Sequence, residues 1–147
     1  VNLAETYGAN ARVTFPFRRI EKLRDVPVEK RRAAGMLTSV YHLFPNASVS
    51  VLSKHSNLTI MEPLSPSSTQ MVIYLVTPEQ TSENPISLED VKKDAQFVNE
   101  SGQDEDREAA CLIQQTVTAQ ANSHLTFGYF EKAIVNFHQH LTERIDS

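Results

Sequence analysis

Paired cysteines, basic runs and long apolar stretches are all scarce in this chain, and each shortage removes a class of function. Over 147 residues there are 14 Lys and Arg against 18 Asp and Glu, the net charge is -4, and the longest basic run is Lys30-Arg31-Arg32. A surface that tracks nucleic-acid phosphates needs the opposite balance. One cysteine, Cys111, excludes an intrachain disulfide and suits a reducing compartment. No apolar run approaches the roughly 18 residues a bilayer span requires, and the opening Val-Asn-Leu-Ala-Glu has neither a charged n-region nor an apolar h-region. The expectation is a soluble, cytoplasmic protein that binds neither nucleic acid nor membrane. Cys-x-x-Cys, a glycine-rich phosphate loop, Gly-x-Ser-x-Gly and His-Glu-x-x-His are missing as well. The five histidines form no site by spacing: His138 and His140, two apart on a helix, point about 200° apart. Three sequons, at Asn46, Asn57 and Asn99, would mark glycosylated surface in a secreted protein; without an export signal, coincidence accounts for them.

The residues that are present describe one domain, or part of one, over 1–147. Ala11–Phe17 reads as an edge strand or loop because Pro16 withholds a ladder donor. Two short charged helical turns follow, at 18–24 and 29–34, the second ended by Gly35. From Leu37 to Thr77 the apolar period drops to two and β-branched residues take over, predicting strands near 37–44, 48–55, 57–64 and 69–77. Short breaks make them an antiparallel meander. The last, Met71–Val76, is apolar throughout, as a strand covered on both sides would be. Ser87-Leu88-Glu89-Asp90 is a capping box flanked by the staple pair Ile86 and Val91, and predicts a helix over 88–100. Ser101-Gly102-Gln103 breaks it, and a second helix starts at Asp104. On that helix Ala110, Ile113 and Val117 share a face, widened by a buried Cys111. After a loop over 121–128, a terminal helix from Tyr129 to Ile145 places Phe130, Ile134, Phe137, Leu141 and Ile145 at helical spacing. Its partner must be the sheet, so the class is α+β, with helices packed on one face of an antiparallel sheet.

Asp104-Glu105-Asp106 is the one stretch where chemistry shows. Acidic residues in a first helical turn ordinarily complement the macrodipole, yet one of the three could ligate a metal. The string His42-Leu43-Phe44-Pro45-Asn46-Ala47-Ser48, then the alternating sheet, then Asp104-Glu105-Asp106 with Gln114-Gln115 further along, and Phe127-Gly128-Tyr129-Phe130-Glu131 before the last helix, resembles the C-terminal half of the large (alpha) subunit of Rieske non-haem iron ring-hydroxylating oxygenases. The order is kept over nearly the whole chain.

That resemblance implies a START-like helix-grip domain, a curved antiparallel sheet wrapped on a long C-terminal helix. It implies a mononuclear Fe(II) held by two histidines and a carboxylate, with one face left open for O₂. The carboxylate it points to is Asp106, with Asp104 and Glu105 as the alternatives if the register slips, and it puts Asn46 and Phe97 against substrate. Asn46 read by itself is equally a turn residue. The close histidine pair and the two Cys-His motifs of a [2Fe–2S] Rieske centre are not in these 147 residues, so the chain is expected to be a fragment and inert alone. The parent would take electrons from NAD(P)H through a reductase or ferredoxin, hydroxylate an aromatic or other apolar substrate, and assemble as a homo-oligomer. An aliphatic sheet face with Val49, Val51, Ile60 and Ile73 suits such a substrate. A helix-grip carrier of hydrophobic ligands is the competing reading; a secreted glycoprotein is the third.

Overall fold

The computed structural model describes residues 2–79, 85–120 and 124–147. Six strands form one antiparallel, curved sheet in sequence order: β1 (Leu3–Tyr7), β2 (Asn10–Pro16), β3 (Leu37–Leu43), β4 (Ala47–Val51), β5 (Ser56–Ser65) and β6 (Ser68–Val76). Two helices follow, α1 (Leu88–Thr118) and α2 (Lys132–Ile145). This is the α+β, helix-grip-like arrangement expected, and the four-strand meander falls close to its predicted limits. Residues 80–84 of the connection before α1, and 121–123 of the loop before α2, lie outside the described residues.

The start of the chain departs from expectation. Residues 11–17 are neither edge nor loop, because Leu3–Tyr7 forms an extra strand that pairs with β2 (Leu3 with Thr14, Tyr7 with Asn10) and takes the edge itself. Gly8, at φ +60, supplies the left-handed turn residue between them. Pro16 is tolerated because it ends the strand. Single 3-10 turns occupy Arg18–Leu23 and Val28–Lys30. Gly35 does adopt a left-handed φ of +68, but it serves the turn that enters β3 rather than a helix cap.

Register decides which side chains share a face. Ala11 lies beside His42, His42 beside Ser48, Ser48 beside Thr59 and Thr59 beside Ile73. The opposite face carries Arg12, Tyr41, Val49, Leu58, Ile60 and Val72. Ile73 is therefore on the other side of the sheet from Val49, Val51 and Ile60, and the continuous aliphatic surface expected from those four does not exist. A one-residue offset between neighbouring strands is enough to reverse a side chain.

Helix α2 lies on the Ala11–His42 face. The Phe137 ring meets His42 edge-on at 5.2 Å and Phe44 at 5.8 Å, and Asn136 Nδ2 donates to the Gly8 carbonyl at 3.0 Å. Its apolar stripe is partly shielded in the middle, at Phe137 and Leu141; Phe130 and Ile145 are about three-quarters exposed (74% and 73%). The helix starts at Lys132 rather than Tyr129, since the Glu131 carboxylate accepts from Gly128 N–H and its N–H donates back to the Gly128 carbonyl, holding 128–131 as a turn.

Helix α1 runs unbroken through Ser101-Gly102-Gln103. One glycine costs a helix about 1 kcal/mol, and the residues on either side are good enough helix formers to carry the chain across. Its N-terminus is built as the capping box requires: Ser87 Oγ accepts from Asp90 N–H at 3.0 Å and donates to Asp90 Oδ2 at 2.8 Å. That donation, with Lys54 nearby, holds the Asp90 carboxyl below the usual range. Val91, only 2% exposed, seats the first turns. Beyond them none of the described residues of the helix is buried. Cys111 is exposed rather than buried, as is every residue of α1 from Glu105 to Ile113. Ile113 and Val117 are exposed too. So is β6, which pairs with β5 alone and has neither face covered. Among the described residues the buried set is small: Ala11, Val91, Ser39 and His55.

Candidate functional site

The three residues singled out from sequence sit in different places. Asn46 follows a cis Phe44–Pro45 peptide and pins the β3–β4 turn to β5: its Nδ2 donates to the Met61 carbonyl at 2.9 Å, and Met61 N–H donates to its backbone carbonyl at 2.8 Å. Its side-chain donor is thereby committed to the fold. Phe97 is 70% exposed. Asp106 is exposed as well, and does not face into an enclosed hollow between sheet and terminal helix. The reason is the path of α1, whose described side chains from Glu105 to Ile113 are all exposed. The Asp104 side chain lies outside the described residues.

Continuity of α1 has a second consequence. Phe97 and Asp106 are nine residues apart on one continuous helix, hence about 180° apart around its axis. A break at Gly102 would have left their relation open; without it, they do not line one pocket in this chain. Asp106 keeps better company. The inward side of α1 passes through Val91, Val98 and Gly102, all shielded to some degree, and Asp106 lies about 60° from that line. It is on the extension of the covered face, one turn past Gly102.

Two open clefts flank α2. One, of about 270 Å³, lies between Thr6 and the helix side chains Lys132, Val135 and Asn136, with Phe127 and Gly128 at its rim. The other, of about 400 Å³, is bounded by Phe127, His138, Thr142 and Glu143. Asp106, Asn46 and Phe97 border neither cleft.

A mononuclear iron needs three converging ligands. Among the described residues no three His, Cys, Asp or Glu side chains come together. The described residues by themselves do not complete a site for the metal. The histidines have other partners: His42 packs on Phe137, His138 on Phe127 at 5.4 Å, and His140 Nδ1 lies 3.2 Å from Glu143.

One polar pair was not anticipated. His55, in the β4–β5 connection, has a fully buried side chain whose Nδ1 lies 2.9 Å from Asp94 Oδ2 on α1. A histidine four residues past one strand and just before the next, and a carboxylate 39 residues later, carry no spacing signal, and only the docking of α1 brings them together. On the outer face of the sheet a second cluster forms, with Arg12 Nε donating to Glu5 at 2.8 Å and the guanidinium lying against the Tyr7 and Tyr41 rings. That hydrogen bond holds the Glu5 carboxyl below its ordinary value.

Comparison with curated proteins found no match, and comparison with solved structures found none. A family profile does match, described as the ring hydroxylating alpha subunit (catalytic domain), and it aligns with residues 5–147. Beginning inside β1 and running through the end of α2, the match takes in every strand and both helices, so this chain belongs to the ring-hydroxylating alpha-subunit catalytic-domain family.

Proposed function

We propose that the chain is the part of a Rieske-type oxygenase catalytic domain that carries the carboxylate ligand, and that its parent hydroxylates an aromatic or other apolar substrate with O₂. The observation that carries this is the family match over 5–147, taken with the position of Asp106 on the extension of the inward face of α1. Residues 1–147 act as one domain or as part of one. Asp106 supplies a hard anionic oxygen, and two imidazoles come from outside these residues; the bound iron would supply the oxygen activation. The surface of α1 beyond Gly102 is apolar at Ala109, Ile113 and Val117, which suits contact with the segment that brings them.

Asn46 is a substrate-side position through its carbonyl oxygen, the amide nitrogen being held by Met61. Phe97, on the far side of α1 from Asp106, borders the route of an apolar substrate rather than the metal itself. Electrons reach the centre from NAD(P)H through a reductase or ferredoxin and a [2Fe–2S] domain, and the full-length protein is a cytoplasmic homo-oligomer. Among the described residues no helix is long and apolar enough to cross a membrane. The family match does not favour a metal-free carrier of hydrophobic ligands.

The test is Asp106→Ala in the full-length protein, with iron content and substrate-dependent O₂ uptake as readouts. Both should fall to background, and the 147-residue chain alone should bind no stoichiometric iron and turn nothing over. Retention of iron and activity by the variant would remove Asp106 from its role.

A further inference from the structure

Helix α1 is about 46 Å long by its 31 residues, yet one apolar residue on it, Val91, is buried. Among the described residues two polar contacts join its first turns to the β4–β5 connection. Lys54 Nζ lies 3.6 Å from Asp90 Oδ1, with both side chains about half exposed (46% and 51%), so water and salt weaken that pair. The other is His55 with Asp94, where the imidazole is completely shielded and the contact is 2.9 Å. An ionised Asp94 only accepts, so His55 Nδ1 carries the proton. Nε2 of the same ring is buried and has no hydrogen-bond partner among the described residues. Asp94 is thus the one polar anchor of the ring, and the ring cannot turn without losing it.

We propose that His55 and Asp94 are positioning residues, a latch that sets the tilt of α1 against the β4–β5 connection. Geometry makes the latch sensitive. Asp106 follows Asp94 by twelve residues, about 18 Å along the axis, so a tilt of about 3° at the latch moves the far carboxylate by about 1 Å. Misplacement on that scale is enough to matter at a reacting centre. The imidazole end is shielded from water while the Asp94 side chain is about a quarter exposed (25%), so the bond is less open to competing donors than a pair exposed at both ends and is stronger for it. The link to Asp106 rests on the oxygenase reading above; the latch itself does not.

Hydrogen exchange on the full-length protein tests it. Asp94→Ala and His55→Phe, the second filling the ring's volume without the bond, should make amides of 92–110 exchange roughly tenfold faster or more, with β1–β3 unchanged. His55→Asn, whose Nδ2 stands where Nδ1 stood, should restore much of the protection; simple loss of packing would not be rescued this way. Should the disruptive variants fail to fold, the wild-type protein still decides: amides of 92–96 and 52–57 are expected to open with one shared free energy. Unchanged α1 protection in folded variants, or independent opening of the two segments, overturns the latch. Faster α1 exchange in the latch variants alongside unaltered iron content in Asp106→Ala would sustain the latch while removing Asp106 from its role as ligand.

Discussion

Consider the 147 residues purified alone. They expose 11552 Å², whereas a compact monomer of 16.5 kDa exposes roughly 7,600 Å² and its unfolded chain roughly 24,000 Å². Folding therefore removes about half of the unfolded surface, against about 68–70% for a self-sufficient domain of this size and about 60% for one of only 60 residues. The surplus of about 4,000 Å² is as large as the interfaces of obligate complexes. It is also apolar in the wrong places: Ile73, Tyr74, Leu75 and Val76 on β6 and Leu112, Ile113 and Val117 on α1 all stand exposed. Because heat-capacity change and denaturant slope both scale with area exposed on unfolding, each should come out at about three-quarters of the value normal for the length. The isolated chain should bind a hydrophobic dye, self-associate as its concentration rises, and melt broadly. Calorimetry, urea titration and sedimentation velocity measure these directly. A concentration-independent monomer with a sharp two-state transition, a full-sized heat-capacity change and no dye binding would refute the reasoning from surface area.

Other expectations follow from single contacts. Ser87→Ala removes the acceptor of Asp90 N–H and should cost about 1 kcal/mol in stability, read from the urea midpoint in a parent that folds cooperatively. Phe137→Ala strips the half-buried ring that holds α2 on His42 and Phe44 and should cost about 2 kcal/mol, below the fully buried range; near-UV circular dichroism would show the loosened aromatic cluster. Glu5 titrates below its ordinary value because Arg12 hydrogen-bonds the ionised form. Its contribution is therefore complete above the ordinary glutamate range and disappears as the pH falls through the lowered folded value. Arg12→Met should flatten that acid limb in pH-dependent melting, and an unchanged limb would exclude the pair as its source.

Much of the fold could be read from local pattern. Period-two alternation with short polar breaks located β3 to β6, and the Ser87 capping box located the start of α1, because both signals are made by neighbours in sequence. The signature around Asp104–Asp106 and Phe127–Glu131 led to the family for the same reason. β1 was invisible, being five residues with no cap or strong alternation that become a strand by pairing with β2. Gly102 looked like a break because propensity is weighed locally, while helix continuity is decided by the residues on both sides together.

Tertiary structure alone decided the rest. Strand register put Ile73 opposite Val49, Val51 and Ile60, since a side chain's face depends on its partner strand as much as on its own alternation. The unbroken path of α1 separated Phe97 from Asp106 and carried Asp106 and Cys111 out to solvent. His55 met Asp94 because a helix docked across a strand connection, a contact that leaves no periodic trace. Sequence determined which segments are strands and helices and which family they make, through local backbone preference and motif order; which side chains are brought together was settled by packing, which couples residues far apart in the chain.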